Sequence, residues 1–376
     1  MQNNLKNIIK LSLPKTNIQM IVIFILSGIF AKITNLTGCS ANLVNLVTNN
    51  VPYELLTLGI FIATSVISTA IGTSFGSIIV IAPIALSLSQ NLEQLNVIYI
   101  ASAIISGAYF GDNISFISDT TIAAIQTQKA KLFGKFKENI KIATPLFIIM
   151  CLYYYNAKIT TVNIKEIHIV DLIYIVPYFS IIVLGFCRIN VLIALIIGIL
   201  ITATLAITKS LNITQISIDS LYLGFQSVSD LVYLTLLISI INGILEYFTI
   251  FEKIKKYLIK KEKLYYTIFQ ATLLCGLLLL ITNLITANNT IAILLTGKVV
   301  YDIFTKTKTK DTSFQAMAID NLSCGIHGLI PYAPQVLLVA SSFQISPFEV
   351  ISHSYYCMGL VVLTIAYGYL KSKKNN

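Results

Sequence analysis

The chain has 376 residues, of which 56% are hydrophobic and 11% charged, with a formal charge of +10. Soluble domains carry about 25% charged residues, so this composition excludes an ordinary cytosolic enzyme. The positive charge does not indicate a nucleic-acid partner, because most Lys and Arg residues fall in short clusters between apolar runs. That placement is what membrane topology requires.

The N-terminal stretch MQNNLKNIIKLSLPK is polar and basic. No small-residue cleavage site follows it, so a removed signal peptide is not expected. Apolar segments then recur at 18–36, 54–71, 75–90, 97–125, 142–156, 171–187, 190–207, 222–246, 264–286, 290–304, 315–342 and 351–370. Runs of about 20 residues cross a bilayer. The expected fold is all-α and polytopic, with about ten to twelve transmembrane helices. Segments 97–125 and 315–342 are long and interrupted by polar residues, which indicates broken helices or re-entrant hairpins. Six cysteines, at 39, 151, 187, 275, 324 and 357, stand singly in or beside apolar segments. They read as small core residues and not as a disulfide framework.

If the N-terminus is inside and each span reverses direction, 21 of the 26 basic residues share the inner side. The exceptions are Lys32, Lys158, Lys165, Lys209 and Lys298. This bias predicts cytoplasmic N- and C-termini. Polar interruptions also recur between the halves. Thr73 and Asn288 are 215 residues apart, and Gly111 and Gly325 are 214 apart. The pattern predicts an inverted repeat, with 18–156 as repeat 1, 171–207 as a connecting pair and 222–370 as repeat 2. Discontinuous helices in inverted repeats place ion sites near the bilayer midplane.

The run SGAYFGDNISFISDTTIAAIQTQ at 106–128 concentrates the candidate chemistry. Ionisable residues at bilayer depth are expensive, so Asp112 and Asp119 are functional candidates by default. An ionised carboxylate binds Na⁺ and releases it on protonation, which suits cation/proton exchange. Asn113, Ser115, Ser118, Thr120 and Thr121 would complete an oxygen shell. The plainer reading of Asp119 is an N-cap for the helix entered at Ile122. Thr73 and Ser74 read either as a hairpin tip lending oxygens or as small-residue packing. Asn288, Asn289 and Thr290 are polar groups that lipid does not tolerate unpaired. In the second interrupted segment, Asp320 stands as a symmetry-related charged site or a residue at the inner mouth. His327 reads as a proton relay or a backbone donor.

The run SGAYFGDNISFISDTT resembles the signature of the NhaC-type Na⁺/H⁺ antiporter family. ISTAIGTSFGSIIVIAPIAL at 67–86 and GILEYFTIFEKI at 243–254 are similar to two further stretches of that family. Asn113 stands where the family commonly has Lys, Phe116 where it has Pro, and Phe75 where it has Trp. The second-half run IDNLSCGIHGLIPYAP lacks a Thr-Ser-Pro stretch. Longer members would make about two spans before this chain begins, which would account for the unpaired 171–207 segment. The resemblance implies exchange of Na⁺ for H⁺ at Asp112 and Asp119, in a bacterial inner membrane. Some members exchange organic acids such as malate and lactate. A small-carboxylate exchanger would need a fixed cation at the midplane, and Lys298 is the candidate. A non-transporting scaffold is the remaining alternative. No cofactor is expected beyond the transported Na⁺ and H⁺, and the expected partners are the lipid bilayer and a second copy in a homodimer.

Overall fold

The structure, a computed structural model, describes residues 15–91, 96–116, 118–156, 171–187, 189–208, 213–247, 266–307 and 311–374. Among these the protein is all-α. Helices α1 (Lys15–Leu36), α2 (Cys39–Asn50), α3 (Leu56–Ile71), α4 (Ser74–Asn91), α5 (Val97–Ile114), α6 (Asp119–Gln128) and α7 (Leu132–Asn156) form the first half. The pair α8 (Val176–Phe186) and α9 (Val191–Thr208) follows. The second half comprises α10 (Ile213–Tyr247), α11 (Ile268–Thr286), α12 (Asn289–Thr305), α13 (Thr312–His327), α14 (Pro334–Phe343), α15 (Pro347–Ser352) and α16 (Tyr355–Lys374).

The surface has the polarity of a membrane protein. On α11, Leu273, Leu277, Leu280 and Leu284 face outward, whereas Thr272, Cys275, Asn283 and Thr286 are buried. A 3.6-residue period therefore turns the apolar stripe to lipid and the polar stripe inward. Helices α5 and α11 are each long and apolar enough to cross a bilayer. Residues Ile21–Leu36 with Cys39–Val47 pass as a pair bent by 80°. We describe the chain as an all-α, polytopic membrane protein.

The elements of the two halves recur at a fixed shift. Helix α3 ends at Ile71 and α11 at Thr286; α4 begins at Ser74 and α12 at Asn289; α5 begins at Val97 and α13 at Thr312. Each pair differs by 215. Backbone conformations repeat at the same interval. Gly72 (φ 78°) and Ala287 (φ 47°) close the first helix of each hairpin, and Lys129 (φ 52°) and Gln344 (φ 54°) end α6 and α14. A left-handed residue is the usual way to stop a helix. Ser118 and Ala333, the residues preceding α6 and α14, share an extended conformation at ψ 137°.

Three boundaries differ from expectation. Residues 39–50, which lie between the apolar segments 18–36 and 54–71, form α2, in which short polar residues alternate with Leu43, Leu46 and Val47. Helix α7 begins ten residues earlier than its apolar run, because Leu132–Lys141 continues the helix with basic residues. The last segment is split into α15 and α16 by a break around His353 and Ser354. The clusters at Lys6 and Lys10, Arg188, Lys253–Lys263 and Lys308–Lys310, and much of the 243–254 stretch, lie outside the described residues.

Close approach between α3 and α5 anchors the first half. A Cβ on Gly111 would lie 2.4 Å from Ser68 Cβ, and one on Gly107 would lie 2.6 Å from the Phe61 carbonyl oxygen. Ser68 Oγ uses this proximity to donate to the Ala108 carbonyl at 2.6 Å. Small residues four apart let membrane helices meet backbone to backbone.

Candidate functional site

Both helix breaks and both hairpin tips turn inward. Helix α5 stops at Ile114, and α6 starts at Asp119 on the far side of an extended turn. Asp112 lies in the last turn of α5 and is 4% exposed. Ser74, first residue of α4, donates to Asp112 Oδ2 at 2.8 Å, and Ser118 donates to Oδ1 at 2.6 Å. Gln335, at the start of α14, donates to Ser74 Oγ at 3.1 Å. The start of α6 adds Thr120, whose hydroxyl is 2.8 Å from that of Ser118. One carboxylate is thus held by hydroxyls from the first hairpin and the first break, with an amide from the second break behind them.

Ser118 precedes α6, but its hydroxyl makes no capping bond because it is committed to Asp112. The expected cap, Asp119, is the first residue inside the helix, and its side chain is exposed. The structure therefore does not bring Asp119 to Asp112. Ser115 is buried and donates to the Thr69 carbonyl at 2.8 Å, tying the break to α3. Thr73 is half-buried at the hairpin tip, where its carbonyl accepts from the Ser77 amide at 3.2 Å.

A second polar cluster adjoins the first. Asn113 Nδ2 donates to Asn321 Oδ1 at 2.7 Å and approaches Asp320 Oδ2 at 3.5 Å. Asn139 on α7 donates to Asn113 Oδ1 at 2.7 Å and to its carbonyl at 2.8 Å. Asp320 is fully buried and lies 2.5 Å from Lys135 Nζ. Thr121 accepts from the same ammonium at 2.9 Å. Asp320, Asn321 and Ser323 sit within helix α13, not in the break itself, which falls at 328–333 after His327. With no proline before Pro331, nothing interrupts the helix earlier.

The second hairpin caps its own helix start and packs its tip against α13. Asn288 caps α12 by accepting from the Ile291 amide at 3.0 Å, and Asn289 Oδ1 accepts from the Thr290 amide at 3.0 Å. Asn289 also contacts Cys324 Sγ at 3.8 Å and accepts from Ser323 Oγ through its carbonyl at 3.0 Å. Thr290 is half-buried. His327 Nδ1 is 2.7 Å from the Tyr109 hydroxyl. The shift of 215 carries Ser74 to Asn289, Asp112 to His327 and Thr120 to Gln335. The first half thus presents a carboxylate where the second presents an imidazole.

Sequence reading missed Lys135 and Gln335. Lys135 looked like one member of an inner basic cluster, whereas it is 2% exposed. Its signal was the helical spacing to Asn139, which places both on one face of α7. Lys298, the cation expected for a carboxylate exchanger, is exposed on α12. All six cysteines are free.

A cavity of about 1000 Å³ lies among α1, α4, α10 and α14, with Lys32, Ser89, Gln226 and Gln344 in its lining. Its walls include Ile79 and Leu338, five and three residues along α4 and α14 from Ser74 and Gln335.

These features define a polytopic helical membrane protein with a buried ionic site at paired helix breaks. Residues 3–154, less than half of the chain, match the model of the Na⁺/H⁺ antiporter family, a match that reaches into the last turn of α7. The chain is 28% identical over 101 residues to a malate-2H⁺/Na⁺-lactate antiporter of Bacillus subtilis, covering 27% of this chain and 21% of that one. It is 33% identical over 78 residues to an uncharacterised protein of Haemophilus influenzae, covering 21% of this chain and 15% of that one. These alignments therefore span about a fifth or less of the curated relatives' lengths. Among solved structures, the YdaH transporter of Alcanivorax borkumensis is similar with a TM-score of 0.44 and 12% identity, covering 97% of this chain and 86% of that one.

Proposed function

We propose that the protein is a secondary antiporter exchanging Na⁺ for H⁺ through Asp112. The observation that carries this reading is a buried carboxylate whose hydrogen-bond partners are the hydroxyls of Ser74 and Ser118. No ion pair to Asp112 occurs among the described residues. Each hydroxyl can turn its oxygen toward a hard cation, which takes oxygen ligands. Na⁺ and H⁺ then compete for one carboxylate, since a bound cation favours the ionised form and burial the neutral one. Ser118, Thr120 and the Gln335 amide stand within reach as neutral ligands. Asp119 stands apart from this group and is read as a residue of the route between site and surface.

The 215-residue recurrence supports two inverted repeats that move relative to each other, with access alternating around the breaks. The cavity among α1, α4, α10 and α14 supports an approach to Ser74 and Gln335 from one side. The charge bias supports cytoplasmic termini in a bacterial inner membrane. A homodimer remains part of the reading. A second reading, exchange of a small organic acid coupled to H⁺ or Na⁺, is favoured by the malate/lactate relative. Lys135 is the buried cation that such a substrate would need, but its donors are already engaged by Asp320, Asn113 and Thr121.

The test is Na⁺-driven proton movement in proteoliposomes, read by a pH-sensitive dye, for the wild type and Asp112→Asn. Loss of exchange in the variant is expected. Full exchange would overturn the site, and exchange driven by malate or lactate but not Na⁺ would replace the first reading with the second.

A further inference from the structure

Among the described residues, the buried charged side chains of Asp, Glu, Lys and Arg are Asp112, Lys135 and Asp320. Lys135 reaches from the first turn of α7 into the junction of α5, α6 and α13. Its Nζ lies 2.5 Å from Asp320 Oδ2 and donates at 2.9 Å both to the Asn113 carbonyl and to Thr121 Oγ1. An ammonium has three N–H donors and no lone pair, so these oxygens use its whole capacity. A carboxylate, a carbonyl and a hydroxyl are also the oxygen set that a hard cation takes. Asn139 and Asn321 lock Asn113 in place, so the shell is built by three helices.

We propose that the Lys135 ammonium fills a second cation position built by Asp320, Asn113 and Thr121, so that exchange at Asp112 is limited to one ion per cycle and moves no net charge. This deepens the reading of Asp112 as the exchanging carboxylate and rests on it. With Asp112 and Asp320 ionised and Lys135 charged, the empty site has a net charge of minus one. One Na⁺ or one H⁺ at Asp112 brings it to zero. Both loaded forms then cross the membrane without electrical work, whereas one uncompensated charge would bias transport about 50-fold per 100 mV. Removing the ammonium while keeping Asp320 vacates an oxygen shell that an external monovalent cation can occupy.

The test measures equilibrium binding of radiolabelled Na⁺ to the purified full chain. Lys135→Gln is expected to bind one Na⁺ more per chain than the wild type; no gain in the folded variant overturns the proposal. Asp320→Asn leaves the ammonium, held on the carbonyl of Asn113 next to Asp112 in the chain, without its counter-ion and is expected to lose Na⁺ binding at least tenfold. The double variant Lys135→Gln/Asp320→Asn restores a net charge of minus one and is expected to regain wild-type binding. Failure of the double to regain it overturns the proposal even if Lys135→Gln does not fold. In proteoliposomes under an imposed K⁺ diffusion potential, wild-type exchange is expected to be independent of voltage, and a strong voltage dependence overturns the proposal. A wild type that binds no Na⁺ would instead sink the Asp112 reading, while the difference between Lys135→Gln and wild type would still decide the role of Lys135.

Discussion

Across the turn that parts α5 from α6, Ser118 donates to Asp112 Oδ1 at 2.6 Å, so the residue entering the second helix holds the carboxylate at the end of the first. A serine before a helix ordinarily turns its hydroxyl to the free amides of the first turn. Here the hydroxyl serves the carboxylate instead, and the start of α6 is left without that side-chain cap. The break and the charge are therefore coupled: a change in what Asp112 binds acts directly on the junction of the two helices.

Ser118→Ala and Ser74→Ala should each weaken apparent Na⁺ affinity. A hydrogen bond to a charged group contributes about 1.5–3 kcal/mol, or roughly 10- to 150-fold. Asp119→Asn, at an exposed position, should leave half-saturation nearly unchanged. Half-saturating Na⁺ in the dye assay checks all three, and an equal loss in Asp119→Asn would place that carboxylate in the site.

Glycine substitutions should separate packing from propensity. Gly111→Leu forces side-chain atoms into Ser68 Cβ, the Ser65 carbonyl and the Thr69 amide and should prevent stable folding. Gly59 on α3 has nothing within 4 Å of a new Cβ, so Gly59→Ala should be neutral or stabilising by about 0.5–1 kcal/mol. Thermal unfolding in detergent distinguishes the two.

Tyr109→Phe should destabilise the protein by about 1–3 kcal/mol, the penalty for leaving a buried polar atom unpaired. The hydroxyl of Tyr109 is 2.7 Å from His327 Nδ1, and both groups are buried. If His327→Leu in the Tyr109→Phe background fails to recover part of that loss, the pair is not the source.

The C-terminal helix is tied down by charge at its end. Lys371 Nζ lies 2.6 Å from Asp311 Oδ2 and 3.2 Å from Glu138 Oε2. For Asp311, partial burial raises the carboxyl, but hydrogen bonds from Lys371 and the Phe314 amide outweigh it and hold it below its usual range. A lowered folded value means stability that is present above the ordinary carboxylate range near pH 4. That stability is lost as pH falls through the lower folded value. Asp311→Asn should remove this component, seen as a flatter acid limb in hydrogen exchange of Tyr355–Lys374.

Several features were written locally. Gly72 and Thr73-Ser74 mark a helix stop and start, and the polar run from Gly111 to Thr121 marks a break in a membrane segment, where apolar residues elsewhere hide the backbone. The 215-residue interval is visible because both halves stop their helices at the same places. Asp112 is legible because an acid in an apolar run has few structural uses. Lys135 was masked by its neighbours despite its spacing to Asn139. It sits in a stretch with Lys129, Lys131, Lys137 and Lys141, where a basic residue is the rule at a membrane edge. Gln335 follows a proline and reads as a helix start.

The sequence by itself determined that this is a helical membrane protein, which two segments are interrupted, and that two carboxylates lie at the first interruption, because hydropathy, charge bias and backbone-permissive residues act over short distances. Only the tertiary structure decided which groups surround Asp112. The angle at each break and the register of α7 against α5 and α13 turn Asp119 outward, bring Ser74 and Gln335 inward, and set Lys135 on Asp320. Those placements depend on packing between segments from 22 to 261 residues apart in sequence, which no short-range pattern encodes.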